Sequence, residues 1–184
     1  MSPDLVAGLL LLAAYLVGAI PFGYVIGKLR GVDLFKVGSG NIGATNAARV
    51  LGKKFGFLVF ALDFLKGALP VAAIVPLAKS LGAETAFGSP DVLRVGAAAL
   101  AFLGHIFPVY LGFAGGKGVA TGAGTLFVLV PGPAAVTVLY WAVILLASGR
   151  VSLASIGCVV VLVLARLFGT PDPFAPAALP VTIY

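Results

Sequence analysis

Apolar runs long enough to matter to a bilayer follow one another along this chain with only short loops between them, and that pattern limits its fold more than any motif does. About 20 apolar residues, at ~1.5 Å of rise each, carry a helix across the hydrocarbon core of a membrane. Residues 5–27, 55–78 and 93–111 meet or approach that length, as do 134–147 and 152–168 more loosely. Residues 119–130 form a shorter run, closed by Pro131-Gly132-Pro133. A water-soluble domain is excluded by composition, since 61% of the 184 residues are hydrophobic and only 10% are charged. That is too little polar side chain to cover a wetted surface, and too much hydrophobe for disorder. The single cysteine, Cys158, removes a disulfide framework and any cysteine-rich metal site.

The expected fold is therefore all-α, a polytopic membrane helix bundle forming one domain over residues 1–184. Residues 5–27 read as one retained first helix, because no cationic leader precedes them and Lys28 and Arg30 follow. With the N-terminus outside, the cytoplasmic loops hold Lys28, Arg30, Lys36, Arg49, Lys53, Lys54, Lys117 and Arg150, whereas Lys79, Arg94 and Arg166 fall opposite. Cations gather on the cytoplasmic side of membrane proteins, so this orientation is the expected one. The net charge of +6 thus reports topology, and a nucleic-acid partner is not expected. Gly169 to Pro173 reads as a turn, and residues 174–184 as the start of a truncated last span.

Three segments carry groups suited to chemistry. Gly38-Ser39-Gly40-Asn41-Ile42-Gly43-Ala44-Thr45-Asn46 combines three glycines with amide and hydroxyl side chains, and Arg49 lies about one turn into a following helix. Backbone amides in such loops, and at the helix starts that follow them, bind phosphate oxygens, while an arginine can close a bidentate grip. Gly104-His105-Ile106-Phe107-Pro108 leads to Gly115-Gly116-Lys117-Gly118, whose lysine offers a point charge to a phosphate. It is not a nucleotide P-loop, because Gly118 stands where Ser or Thr is required. His105 is either a satisfied interhelical hydrogen-bonder or a site residue. Asp63 and Lys66 share one helix face at membrane depth and read best as an internal salt bridge. Ser152 and Ser155 follow Arg150 and either cap a helix or line an anion pocket. Several anion-suited loops thus emerge together on the cytoplasmic side.

The Gly38–Asn46 and Gly104–Thr121 motifs closely resemble two signatures of the bacterial membrane acyl-phosphate:glycerol-3-phosphate acyltransferases. Leu62-Asp63-Phe64-Leu65-Lys66-Gly67 and Val151-Ser152-Leu153-Ala154-Ser155 are similar to the same family. The resemblance implies seven transmembrane helices, the last incomplete here, in a bacterial inner membrane. It implies transfer of a fatty acyl group from acyl phosphate to the 1-position of glycerol 3-phosphate, giving lysophosphatidic acid and phosphate. On that resemblance Gly38, Ser39, Gly40, Asn41, Gly43, Thr45 and Asn46 hold acyl phosphate; Arg49, Lys117 and Ser155 hold glycerol 3-phosphate. Ser39 and His105 are the catalytic candidates, His105 as an orienting group. No cofactor or metal is implied, and a soluble enzyme that makes acyl phosphate is implied as a transient partner. The family's C-terminal basic stretch, with its asparagine, has no counterpart before Tyr184. Acyltransferases that use thioesters carry His-x-x-x-x-Asp, and Tyr110 fills that last position here. A transporter of a phosphorylated small molecule is the competing class, since broken helices and buried charges mark transporters too. A scaffold that binds lipid phosphates without turnover is the third.

Overall fold

The computed structural model describes residues 1–168, and these are helical, with no strand among them. The helices are α1 (Pro3–Gly18), α2 (Phe22–Leu29), α3 (Ala44–Leu51), α4 (Lys53–Ser80), α5 (Pro90–Ile106), α6 (Val119–Leu129), α7 (Pro131–Ser148) and α8 (Val151–Phe168). Among the described residues, five stretches are long and apolar enough to cross a membrane: Pro3–Leu29, Lys53–Ser80, Pro90–Leu111, Pro131–Ser148 and Val151–Phe168. The helix over Val119–Leu129 is shorter, at 11 residues. The expected turn at 169–173 and the segment from Phe174 lie outside the described residues. Large apolar side chains such as Leu12, Phe57, Leu69, Leu139, Leu146 and Ile156 point outward, the inverse of a soluble protein and suited to lipid.

The chain divides into two compact units, Met1–Val128 and Leu129–Tyr184. In the first, the helices meet through small residues. A Cβ added at Gly18 would overlap the Ala101 backbone, and one at Gly104 would overlap the Tyr15 carbonyl. Glycine and alanine let membrane helices approach to backbone contact, where dispersion holds them. Ala7 and Ala14 of α1, and Ala97 and Ala101 of α5, are also buried. Gly104→Leu is therefore expected to force these helices apart and cost about 1–3 kcal/mol or more, seen as a lower melting temperature in detergent; an unchanged melt would refute the close seam.

The first span is not one helix. It breaks at Ala19–Pro21, because Pro21 has no N–H to continue the ladder. The interruption leaves the Ile20 carbonyl without a full helical partner, and the Lys66 ammonium donates to it at 2.7 Å. By contrast, α4 runs unbroken through Pro70 and Pro76. Pro131 and Pro133 close the run of α6, which ends at Leu129, as expected, and they also start α7, where a missing N–H costs little. The third span reaches Leu111 as expected, but within it α5 stops at Ile106 and a short 3-10 turn over Val109–Leu111 follows. His105 is thus the penultimate residue of α5.

In the second unit α7 and α8 pack against each other, and a Cβ at Gly157 would overlap the Tyr140 hydroxyl. The Trp141 indole N–H donates to the Ser155 hydroxyl at 3.2 Å.

Candidate active site

The loop before α3 is organised from within. Asp33 starts it, accepting from the Lys28 ammonium at 2.9 Å and from the Phe35 amide at 3.1 Å. The Lys28 hydrogen bond, above all, holds the Asp33 carboxyl below its ordinary 3.8. A carboxylate depressed in this way stabilises the loop above that pH and stops doing so in acid. Asn46 then ties the loop together. Its amide donates to the carbonyls of Leu34 and Val37, at 3.2 and 3.0 Å, and its Oδ1 accepts from the Ser39 amide at 2.9 Å. At 1% exposure, Asn46 is spent on the loop's own backbone. Gly38 and Gly40 take left-handed φ values of 62° and 67°, which side-chain-bearing residues seldom adopt. A Cβ at Gly38 would also overlap Asn46 Oδ1.

This wiring decides which groups face outward. The amides of Ser39, Gly40 and Gly43 are used internally, by Asn46 Oδ1, Val37 O and Asn41 Oδ1. The amides of Asn41, Ile42, Ala44 and Thr45 make no hydrogen bond among the described residues. Gly43 sits at the N-cap of α3 in extended conformation, so the Ala44 and Thr45 amides open from the helix start. Ser39, Thr45 and Arg49 are exposed, and Thr45 and Arg49, four residues apart, share the outer face of α3. Asn46 and Ala47 are buried on the opposite one.

The second loop is seated on the end of α5. The Gly116 amide donates to the His105 carbonyl at 3.2 Å. A Cβ at Gly115 would overlap the His105 and Ile106 carbonyls, and one at Gly116 would overlap His105 Nε2. Only glycine lets the chain pass this close. Lys117 projects from the seated loop, exposed and without an ion pair among the described residues. Leu111, on the same connection, packs against the cluster of Ile26, Leu34, Ile42, Ala47 and Val59. That cluster also underlies the first loop, so both loops rest at one end of this unit.

Beneath them lies a buried polar chain. Asp63 and Lys66, 3% and 4% exposed, pair at 2.8 Å. Asp63 Oδ1 stands 3.8 Å from His105 Nδ1. His105 Nδ1 and Thr121 Oγ1 hydrogen-bond at 2.9 Å. The salt bridge read from sequence is present, and His105 lies beside it. Thr121 carried no isolated signal in the sequence beyond its place in a motif. An apolar groove of about 300 Å³ between α1 and α4, lined by Leu10, Ala14, Val17, Leu69, Pro70 and Ile74, contains no polar side chain. It is unsuited to a phosphate.

Gly116→Ala is expected to push the second loop off His105 and lower turnover by roughly a hundredfold, with the fold retained. Wild-type kinetics for that variant would show that the loop's seat does not matter.

Residues 8–184 match the family model described as glycerol-3-phosphate acyltransferase. The chain belongs to that family. As a member of it, the chain is 50% identical over 147 residues to the glycerol-3-phosphate acyltransferase of Aquifex aeolicus, covering 80% of this chain and 72% of the relative. It is 49% identical over 158 residues to that of an Anaeromyxobacter species (strain K), covering 85% and 74%. Among solved structures it resembles PlsY, an integral membrane glycerol 3-phosphate acyltransferase. Against the glycerol 3-phosphate form the TM-score is 0.77 at 46% identity, covering 90% of this acyltransferase chain and 78% of that one. Against the lysophosphatidic acid form it is 0.74 at 44% identity, with the same coverage.

Proposed function

We propose that this glycerol-3-phosphate acyltransferase takes its acyl group from acyl phosphate, and that the two loops at one end of the first unit hold the two phosphates. The observation that carries this reading is their shared seat: Leu111, four residues before Gly115, packs on the cluster beneath the first loop. The unpaired amides of Ala44 and Thr45, with the hydroxyls of Ser39 and Thr45, receive the acyl phosphate. Gly38, Gly40, Asn41, Gly43 and Asn46 shape the loop that presents them. Arg49 and Lys117 receive the phosphate of glycerol 3-phosphate, and Ser155 has the binding role on that substrate that the family resemblance assigns to it.

Acyl phosphate is a mixed anhydride, so its phosphate is already a good leaving group. The 1-hydroxyl oxygen of glycerol 3-phosphate attacks the acyl carbon and forms the ester bond. The bond from that carbon to the phosphate oxygen breaks, inorganic phosphate departs, and the hydroxyl proton ends on a phosphate oxygen. The protein then contributes position and neutralises charge that grows on the leaving phosphate, and it needs no nucleophile of its own. We read the bundle as seven helices in a bacterial inner membrane, N-terminus outside, with the site cytoplasmic and open to acyl phosphate from a soluble enzyme.

Purified protein given acyl phosphate and glycerol 3-phosphate is expected to release phosphate and lysophosphatidic acid in equal amounts, and none from acyl thioesters. A transport reading draws on the break at Ala19–Pro21 and the buried Asp63–Lys66 pair beside it. Uptake of glycerol 3-phosphate into liposomes without acylation would favour that reading and reject acyl transfer.

A further inference from the structure

We infer that Thr121 is a positioning residue for the transfer reaction: its hydroxyl fixes the tautomer of His105, so that the imidazole presents Nε2–H, a hydrogen-bond donor, to the Gly115–Gly118 loop. The inference rests on the reading that phosphate is held at that loop.

Hydrogen-bond accounting leads there. Thr121 is fully buried, and its hydroxyl has one hydrogen bond, the 2.9 Å contact with His105 Nδ1. A buried hydroxyl whose hydrogen finds no acceptor is costly. If Nδ1 carried the proton, Thr121 would accept from it and its own hydrogen would be left without a partner. If Nδ1 is bare, Thr121 donates to it and the account closes. The other group facing Nδ1 is Asp63 Oδ1, and 3.8 Å exceeds hydrogen-bond reach. Lys66 meets that same oxygen at 2.8 Å as an ion pair and so holds the carboxylate charge. The proton therefore resides on Nε2.

The geometry is rigid. A Cβ at Gly67 would overlap the Thr121 carbonyl, and one at Gly124 the Phe64 carbonyl, so α6 is locked against α4 at this level. Nε2 lies directly under Gly116 and makes no hydrogen bond among the described residues. His105 is 5% exposed, and a phosphate oxygen held at the loop beside Lys117 is the acceptor that its Nε2–H would meet. Held this way, His105 donates a hydrogen bond and does not serve as a general base.

His105 is the only histidine of the 184 residues, so this chain labelled with [15N]histidine in lipid nanodiscs shows one imidazole by NMR. The expected spectrum has a protonated Nε2 and a bare, pyridine-like Nδ1 at neutral pH. A protonated Nδ1 in the parent protein would overturn the inference, with no turnover needed to read it. In Thr121→Val the tautomer preference is expected to relax, with kcat falling roughly ten- to a hundredfold and KM for either substrate little changed. Thr121→Ser, which keeps the hydroxyl, is expected to restore both tautomer and rate. A Thr121→Val protein with the parent tautomer would also overturn the inference. Failure of acyl transfer altogether would instead reject the functional reading while leaving the tautomer result standing.

Discussion

Replacing Lys66 with methionine is expected to destabilise the protein by about 3–5 kcal/mol, more than any other single interior change proposed above. The ammonium serves two groups. It pairs with Asp63 at 2.8 Å and closes the Ile20 carbonyl at 2.7 Å. Removing it strands a carboxylate that is 3% exposed in surroundings where water cannot solvate it. It also leaves the Ile20 carbonyl at the helix break with only the Phe22 amide, at 3.1 Å, as donor. The double variant Asp63→Asn/Lys66→Met removes the stranded charge and is expected to recover most of the loss. Unfolding in detergent, followed by circular dichroism, measures both. A Lys66→Met protein that melts with the parent would show that the pair is not holding the break.

Arg49→Ala and Lys117→Ala are expected to act on catalysis and leave folding alone. Both side chains are exposed and neither has an ion pair among the described residues, so their removal leaves no orphan behind. A charge-assisted hydrogen bond contributes about 1.5–3 kcal/mol, which corresponds to roughly ten- to a hundredfold in kcat/KM. The loss is expected mainly in KM for glycerol 3-phosphate, as uniform binding requires. Lys117→Arg keeps the charge but changes its shape, so partial rescue is expected. If either alanine variant kept full kcat/KM while its melt was unchanged, that cation would have no part in substrate binding.

The membrane class and most of the spans were legible because lipid demands long apolar runs whatever the fold. Residues 119–130 and 152–168 correspond closely to α6 and α8. What misled was Pro21, which breaks the first span, whereas Pro70 and Pro76 pass inside α4 as the 55–78 run required and Pro131 follows the end of α6 as expected. A proline's effect depends on what else meets the freed carbonyl, as Lys66 does at Ile20, and that partner lies 46 residues away.

The candidate site was legible as residue types but not as roles. Gly38–Asn46 showed a phosphate-suited loop, yet nothing in the sequence separated Asn46, which is spent on backbone groups, from Thr45, which faces outward. Alternation along the eight residues of α3 decides that, and so does the Asn46 amide's reach back to Leu34. Asp63 and Lys66 announced themselves by their depth in an apolar run. Thr121 did not, because a threonine in a membrane helix ordinarily satisfies itself on its own backbone.

The sidedness of the two loops is the most direct test. In a Cys158→Ser background, single cysteines at Lys36 and at Ala114 are challenged with a membrane-impermeant thiol reagent, in right-side-out and in inverted membrane vesicles. Both positions are expected to react only in the inverted vesicles, and to slow when acyl phosphate and glycerol 3-phosphate are added together. Reaction of the two cysteines from opposite faces of the membrane would contradict a shared phosphate site.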